Sequence, residues 1–306
     1  MIGQVVFAIL LIGASYLFYR NAYKIYRNIK LGKDENRFDN ISERLKVMLL
    51  VAFGQKKMFK KPISALLHLL VYVGFCIINI EMIEIVIDGL FGTHRILSFL
   101  GGIYDVLIGS FEVLAFAVLV ACLIFLIRRT IIKVKRLNQP ELNNWPKTDA
   151  LLILVTEILL MSAFLFMNAA DQKLQGLGDP HYSLAGSFPI SGYLVAILPD
   201  SITSLVWIER CCWWFHIVGV LAFLNYLPLS KHLHIILAFP NTYFSKLSPK
   251  GKFENMASVT EEVKVMLDPS LPPPTAEASR FGVKDVQDLT WKNLLDAYTC
   301  TECGRC

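Results

Sequence analysis

"WWFHIVGVLAFLNYLPLSKHLHIILAFP", residues 213–240, decides how the rest of the chain is read. It is apolar for most of its length, and two of its histidines, His216 and His234, stand 18 residues apart. At 3.6 residues per turn that is about five turns, so both rings can leave the same face of one helix. The rise between them, about 27 Å, approaches the thickness of a bilayer's hydrocarbon core. One such helix would present an imidazole near each membrane face. Neutral imidazoles on facing helices are the axial ligands of a b-type haem, and the haem, a large apolar disc, suits a bundle core. A histidine near a helix end can also sit at the membrane interface with no ligand, a reading open to His232 and His94.

The composition agrees with a membrane setting. The chain of 306 residues is 55% hydrophobic and 18% charged, where soluble domains have roughly 45–50% apolar and about 25% charged residues. Five segments, 2–19, 63–87, 103–127, 149–170 and 205–229, are long enough to span a bilayer, which takes roughly 20 residues. The first has no basic residue before its apolar run, and its positive charges follow from Arg20. That order is the reverse of a signal peptide and suits an uncleaved anchor. Residues 20–61 hold twelve Lys/Arg against four Asp/Glu, and residues 128–147 hold six against one. The alternate loops, 88–102 and 171–204, hold one Lys/Arg each. The positive-inside rule then predicts a multi-pass protein of the cytoplasmic (inner) membrane, N-terminus outside and C-terminus in the cytoplasm. Membrane lipid is thus a partner. No basic run interleaved with aromatics occurs, which argues against nucleic acid. "ERLKVMLLVAFGQKKMFKK", residues 43–61, reads as a short interfacial helix. The outer loop 171–204 reads as an ordered loop, with a part-inserted turn as the alternative.

His68 lies six residues into the second predicted span, near its cytoplasmic end. With alternating topology His234 is near the same face, so these two can meet at one depth. The stretch 213–240 resembles the last helix of the gamma subunit of respiratory nitrate reductase. It is similar also to the membrane subunit of heterodisulfide reductase and related sulfur-metabolism cytochromes. The shared positions are His216, Pro228, Lys231, His234 and Pro240, and "SALLHLLVYVGF", with His68, resembles the matching second helix. The resemblance covers roughly residues 5–240 and implies one or two b-type haems. The inner pair would be His68 with His234. The outer haem would keep His216, but Ile78 stands where the nitrate reductase pattern has its other histidine. His94 in "GTHR" is the candidate replacement and His181 a second. Otherwise that iron is five-coordinate or the outer haem is absent.

Beyond about residue 240 the composition becomes soluble. "SVTEEVKVMLD" suits a strand or short helix, and "PSLPPPTAEAS" a polyproline-type linker. "GVKDVQDLTWKNLLDAYTC" predicts an amphipathic helix with Val286, Leu289, Leu294 and Leu295 as its apolar positions. It delivers the chain to "CTECGRC", where Cys300, Cys303 and Cys306 repeat the first three ligands of C-x2-C-x2-C-x3-C-P. Zinc would need a second cysteine pair or distant histidines, and a disulfide is disfavoured in the cytoplasm. The missing fourth ligand predicts that the natural chain continues. Residues 288–306 resemble the opening of the heterodisulfide-reductase-type iron–sulfur oxidoreductases, which implies a [4Fe-4S] cluster. The other four cysteines, Cys76, Cys122, Cys211 and Cys212, lie in apolar runs and read as small hydrophobes.

Glu81, Glu84, Glu112 and Glu157 fall inside predicted spans. Carboxylates there are costly and either functional or held protonated by the bundle. Trp213 and Trp214 read as packing residues or a haem edge. The fold class expected is all-α: an integral membrane bundle of five transmembrane helices with a cytoplasmic tail entering a ferredoxin-like iron–sulfur domain. The expected divisions are 1–240 for the membrane domain, 241–280 for the linker and 281–306 for the start of the cluster domain. The expected function is that of an oxidoreductase component. It would exchange electrons between a quinone pool and cytoplasmic iron–sulfur centres through b-type haem. A cytoplasmic iron–sulfur or flavin redox protein would be the partner. The alternative is a haem-free membrane anchor that docks a soluble redox partner.

Overall fold

A computed structural model describes residues 1–182, 184–249, 251–252, 257–272 and 283–303. They are helical apart from turns and a single bridge between Lys33 and Thr290. Five helices are long and apolar enough to cross a membrane. These are α1 (Ile2–Ile29), α3 (Pro62–Phe91), α4 (Gly102–Thr130), α5 (Trp145–Gly176) and α7 (Ile202–Tyr226). Shorter ones are α2 (Ile41–Met48), α6 (Ser191–Leu194), α8 (His234–Tyr243), α9 (Ala257–Leu267) and α10 (Trp291–Thr299). All five expected spans are present; α1, α3, α4 and α5 are longer than their apolar runs because polar end residues continue the helices, while α7 starts and ends three residues before its predicted run.

The chain forms two compact units. The first holds residues 1–22, 55–233 and 300–306. Its core is a stripe on α4, Tyr104, Ile108, Phe111, Ala115, Val118 and Cys122, packed with Leu160, Phe164 and Leu165 of α5. The spacing of three and four residues keeps the stripe on one face. Pro62 opens α3, where a missing N–H costs nothing, and Gly92 closes it at φ 72. α1 is exposed along most of its length and buries one side chain, Phe7, against Ile85, Trp213, Trp214 and Ile217. Gly89 makes the notch for it: a Cβ there would lie 2.7 Å from the Phe7 ring.

Within loop 171–204 the short helix α6 packs against α4 and α5. Ser191, at the start of α6, is fully buried and donates to the Leu165 carbonyl at 2.9 Å. The Ile190 and Ser191 N–H groups, orphaned at the start of a short helix, donate to Glu112 at 3.0 and 3.1 Å.

One expectation fails. His216 and His234 do not share one helix. α7 ends at Tyr226, residues 227–229 form a tight turn around Pro228, and Ser230 is extended. Pro228 has no N–H to continue the ladder. The Lys231 N–H is captured by the Asp149 carboxylate at 2.9 Å, in place of a carbonyl one turn back. A new helix then begins at His234.

The second unit holds residues 23–54 and 234–299. The segment read as an interfacial helix is α2, followed by a wide turn over Leu49–Phe53, and it ends at Gly54. Arg44 is buried and donates to Asp39 and to the Tyr243 and Ser245 carbonyls, closing the end of α8. Residues 289–291 pair with Lys33, and the Trp291 indole donates to the Glu35 carbonyl at 2.9 Å. The predicted amphipathic helix is shorter than expected: residues 286–288 are a turn, and α10 buries Leu294 and Leu295 while Val286 stays exposed. Most of the polyproline stretch, 273–279, lies outside the described residues.

Candidate functional site

At the end of the first unit that carries loops 92–101 and 177–201, buried polar side chains surround a cavity of about 380 Å³. Its wall includes Glu81, His94, Asp171, Arg210, Trp213 and Trp214. The key local feature is Arg95, just past the Gly92 stop of α3. Asp88 holds this turn by accepting from the Arg95 and Ile96 N–H groups and from the Thr93 hydroxyl. Arg95 itself is left-handed, at φ 51, which aims its guanidinium inward.

That guanidinium is 6% exposed and fully engaged. It donates to Asp171 at 2.6 Å, to Asn168 at 3.0 Å and to the Tyr104 hydroxyl at 3.2 Å, and lies over the Phe188 ring. Burial works against its charge, and the Asp171 carboxylate more than restores it, so Arg95 titrates above its ordinary value. The network continues on both sides. Tyr104 donates to Glu84, which also accepts from the Leu97 N–H. Asn168 donates to Glu112, whose other oxygen holds the start of α6. Glu84 and Glu112 thus have structural partners.

Glu81 differs. It is 3% exposed, and its Oε2 has no hydrogen-bond partner among the described residues. His94 is similar at one nitrogen: its Nε2 faces Asp171 at 3.4 Å, while its Nδ1 is buried with no hydrogen-bond partner among the described residues. Beside it His181 accepts from Arg210 at its Nε2, 2.7 Å away. Burial and then the Arg210 charge hold the His181 ring below its ordinary pKa. Tyr182 donates to Glu209 at 2.9 Å, and burial pushes its phenol up. Trp213 and Trp214 meet edge to face at 5.1 Å and form an aromatic wall.

The histidines read from the sequence fall in several places. His94 and His181 come together, their ring centroids 5.3 Å apart. His216 is buried in α7, with its Nδ1 held by the Leu160 carbonyl at 3.0 Å. That bond fixes the ring and leaves Nε2 as the ligating nitrogen, which fits a haem or metal ligand. His94 is anchored at Asp171 and His216 at Leu160, three turns apart on α5. His68 is half-buried in the second turn of α3. His234 opens α8 and belongs to the second unit. Cys300 follows α10 and is exposed; Cys303 is half-buried; Cys306 lies outside the described residues. The Glu302 N–H donates to the Cys300 sulfur at 3.4 Å, the type of bond that thiolate ligands of iron–sulfur clusters accept. No group of three or more metal-ligating side chains is placed to hold an ion among the described residues.

Arg95, Asp171, Asn168, Glu209 and Arg210 were not singled out in the sequence. A signal exists: each is a polar or charged residue within or beside an apolar span, where such residues are expensive.

The chain is similar to two curated proteins. Over 305 residues it is 30% identical to the "Probable iron-sulfur-binding oxidoreductase FadF" of Bacillus subtilis (strain 168), covering 99% of this chain and 39% of that protein. Over 287 residues it is 27% identical to the "EtfAB:quinone oxidoreductase" of Syntrophomonas wolfei subsp. wolfei (strain DSM 2245B / Goettingen), covering 90% of this chain and 36% of that protein. The chain therefore spans less than half the length of these relatives. No protein-family model matches it, and no solved structure matches it.

Proposed function

We propose that this chain is the membrane electron-transfer part of a quinone-linked iron–sulfur oxidoreductase. The observation that carries this reading is the cavity. It joins an aromatic wall to two buried, unpartnered proton-exchanging atoms, Glu81 Oε2 and His94 Nδ1. A quinone needs such a site, because its reduction to the quinol takes two electrons and two protons, one proton at each ring oxygen. With its Nε2–H facing Asp171, a neutral His94 offers Nδ1 as the acceptor for a quinol proton. The Asp171 carboxylate then stabilises the imidazolium. Glu81 offers a carboxyl oxygen for the second proton, and the reverse transfers serve quinone reduction. Trp213 and Trp214 offer the ring a flat face. The printed names of the two relatives, one for iron–sulfur binding and one for a quinone, support the same class.

Haem b on His68, His234 and His216, and a [4Fe-4S] cluster begun by Cys300, Cys303 and Cys306, would supply single-electron carriage when bound. The basic loops and the cysteine tail face the cytoplasm in this reading, where a flavin or iron–sulfur protein is the partner. The test uses the full-length protein in lipid nanodiscs. Added quinol should reduce a b-type chromophore and a cluster signal. Glu81→Gln and His94→Ala should slow this about tenfold or more, as loss of a proton-transfer group does, with unchanged spectra. A protein without b-type absorbance, or wild-type reduction rates in both variants, overturns the reading.

A further inference from the structure

A second polar cluster lies at the opposite end of α5, and the cavity chemistry does not use it. Asp149 is fully buried and accepts from the Tyr226 hydroxyl and the Lys231 N–H. The Lys231 side chain is 11% exposed, and its Nζ donates to the Pro146 carbonyl at 2.7 Å and to Glu302 at 3.1 Å. Glu302 lies between Cys300 and Cys303, in the left-handed region at φ 46, and its own N–H reaches the Cys300 sulfur. All these residues belong to the first unit.

We infer that Lys231 is a positioning residue for the cysteine loop. It seats Glu302 on the bundle, and Glu302 in turn turns the chain and directs an N–H at Cys300. The Glu302 side chain is 40% exposed, and a solvent-exposed ion pair alone is worth little. Here the cation is the less exposed partner, and its Nζ also faces the Pro146 carbonyl, so the bundle end presents a fixed seat for this carboxylate. The seat has two consequences. It keeps Cys303 half-covered before any ligand binds. It also places a hydrogen-bond donor and a nearby positive charge beside a thiolate, and both favour the more negative, reduced state of an iron–sulfur group.

The potential part rests on the cluster reading proposed above; the seating part does not. The test uses the full chain in detergent, as wild type, Lys231→Met, Lys231→Arg and Glu302→Gln. In the cluster-free protein, maleimide labelling of Cys303 is measured relative to exposed Cys300 by peptide mass spectrometry. The ratio should rise about threefold or more in Lys231→Met and in Glu302→Gln, the scale of losing a part-exposed ion pair. Lys231→Arg should restore it. With clusters assembled, the midpoint potential followed by EPR should fall in Lys231→Met, where the positive charge is lost. A tenfold shift of the one-electron equilibrium is about 59 mV. If Lys231→Met does not insert, Glu302→Gln decides, since its change lies on the tail. An unchanged labelling ratio in Glu302→Gln overturns the seat. Altered labelling with an unchanged potential overturns the electrostatic part. A wild-type protein that assembles no cluster counts against the proposed function, and the labelling then decides the seat alone.

Discussion

At the scale of single residues, the molecule separates charges that hold the fold from groups left available. Arg95 belongs to the first kind. Removing it strands Asp171 in a buried site, so Arg95→Ala is expected to destabilise by about 3–5 kcal/mol, the usual cost of breaking a buried pair. The double variant Arg95→Ala/Asp171→Ala should recover part of that loss. Thermal unfolding in detergent, run as a double-mutant cycle, measures both; additive losses would show that the pair is not coupled. Glu81 is of the second kind, and Glu81→Gln, which keeps the side chain's shape and volume, should change stability by no more than the roughly 1 kcal/mol typical of a point substitution. At His68 and His234 the expectation is spectroscopic. Either alanine variant should lose the low-spin b-type spectrum and still insert, and unchanged spectra in both would remove the pair as ligands. Sequence reading found Glu81 and His94 because an ionisable group in or beside an apolar run stands out. It did not find their division of labour with Glu84 and Glu112, because that depends on which loop N–H groups fold back onto each carboxylate.

At the scale of elements, the five spans were readable because bilayer thickness sets a length that local composition reports directly. The join between α7 and α8 was misread by a periodicity argument carried across Pro228. Eighteen residues do amount to whole turns, but only if the ladder is unbroken, and Asp149, 82 residues before Lys231, intercepts the N–H that would continue it. The partner of a broken ladder is a tertiary fact. The tail shows the same limit. Leu294 and Leu295 were readable as an apolar pair, whereas the pairing of Thr290 with Lys33 joins residues too distant for any local pattern. An element-scale prediction concerns Gly89. Gly89→Leu fills the notch that holds Phe7, and overpacking of this kind costs about 1–3 kcal/mol. Trp213 and Trp214, which touch Phe7, should then shift their emission to the red. Unshifted emission would mean that the α1 contact is dispensable.

At the scale of the whole molecule, the asymmetry of lysine and arginine across four loops predicts which end faces which compartment. A membrane-impermeant maleimide added to intact cells should leave Cys300 unlabelled and react with it after permeabilisation. Labelling of Cys300 in intact cells would invert the topology and exchange the compartments of the cavity and the cysteine loop. The two polar clusters, one around Arg95 and one around Asp149, sit at opposite ends of α5. Under the proposed function, orientation also sets on which side of the membrane the quinone's protons would be exchanged.

The single peg of α1 bears on the order of synthesis. The first helix leaves the ribosome before any part of its seat exists. Phe7 must wait for Gly89 of α3 and then for Trp213 and Trp214 of α7, about 200 residues later. Until then the wall that α1 contributes to the cavity through Met1, Gly3 and Gln4 is missing. The earliest-made segment is therefore the last to be fixed in the wall of this cavity.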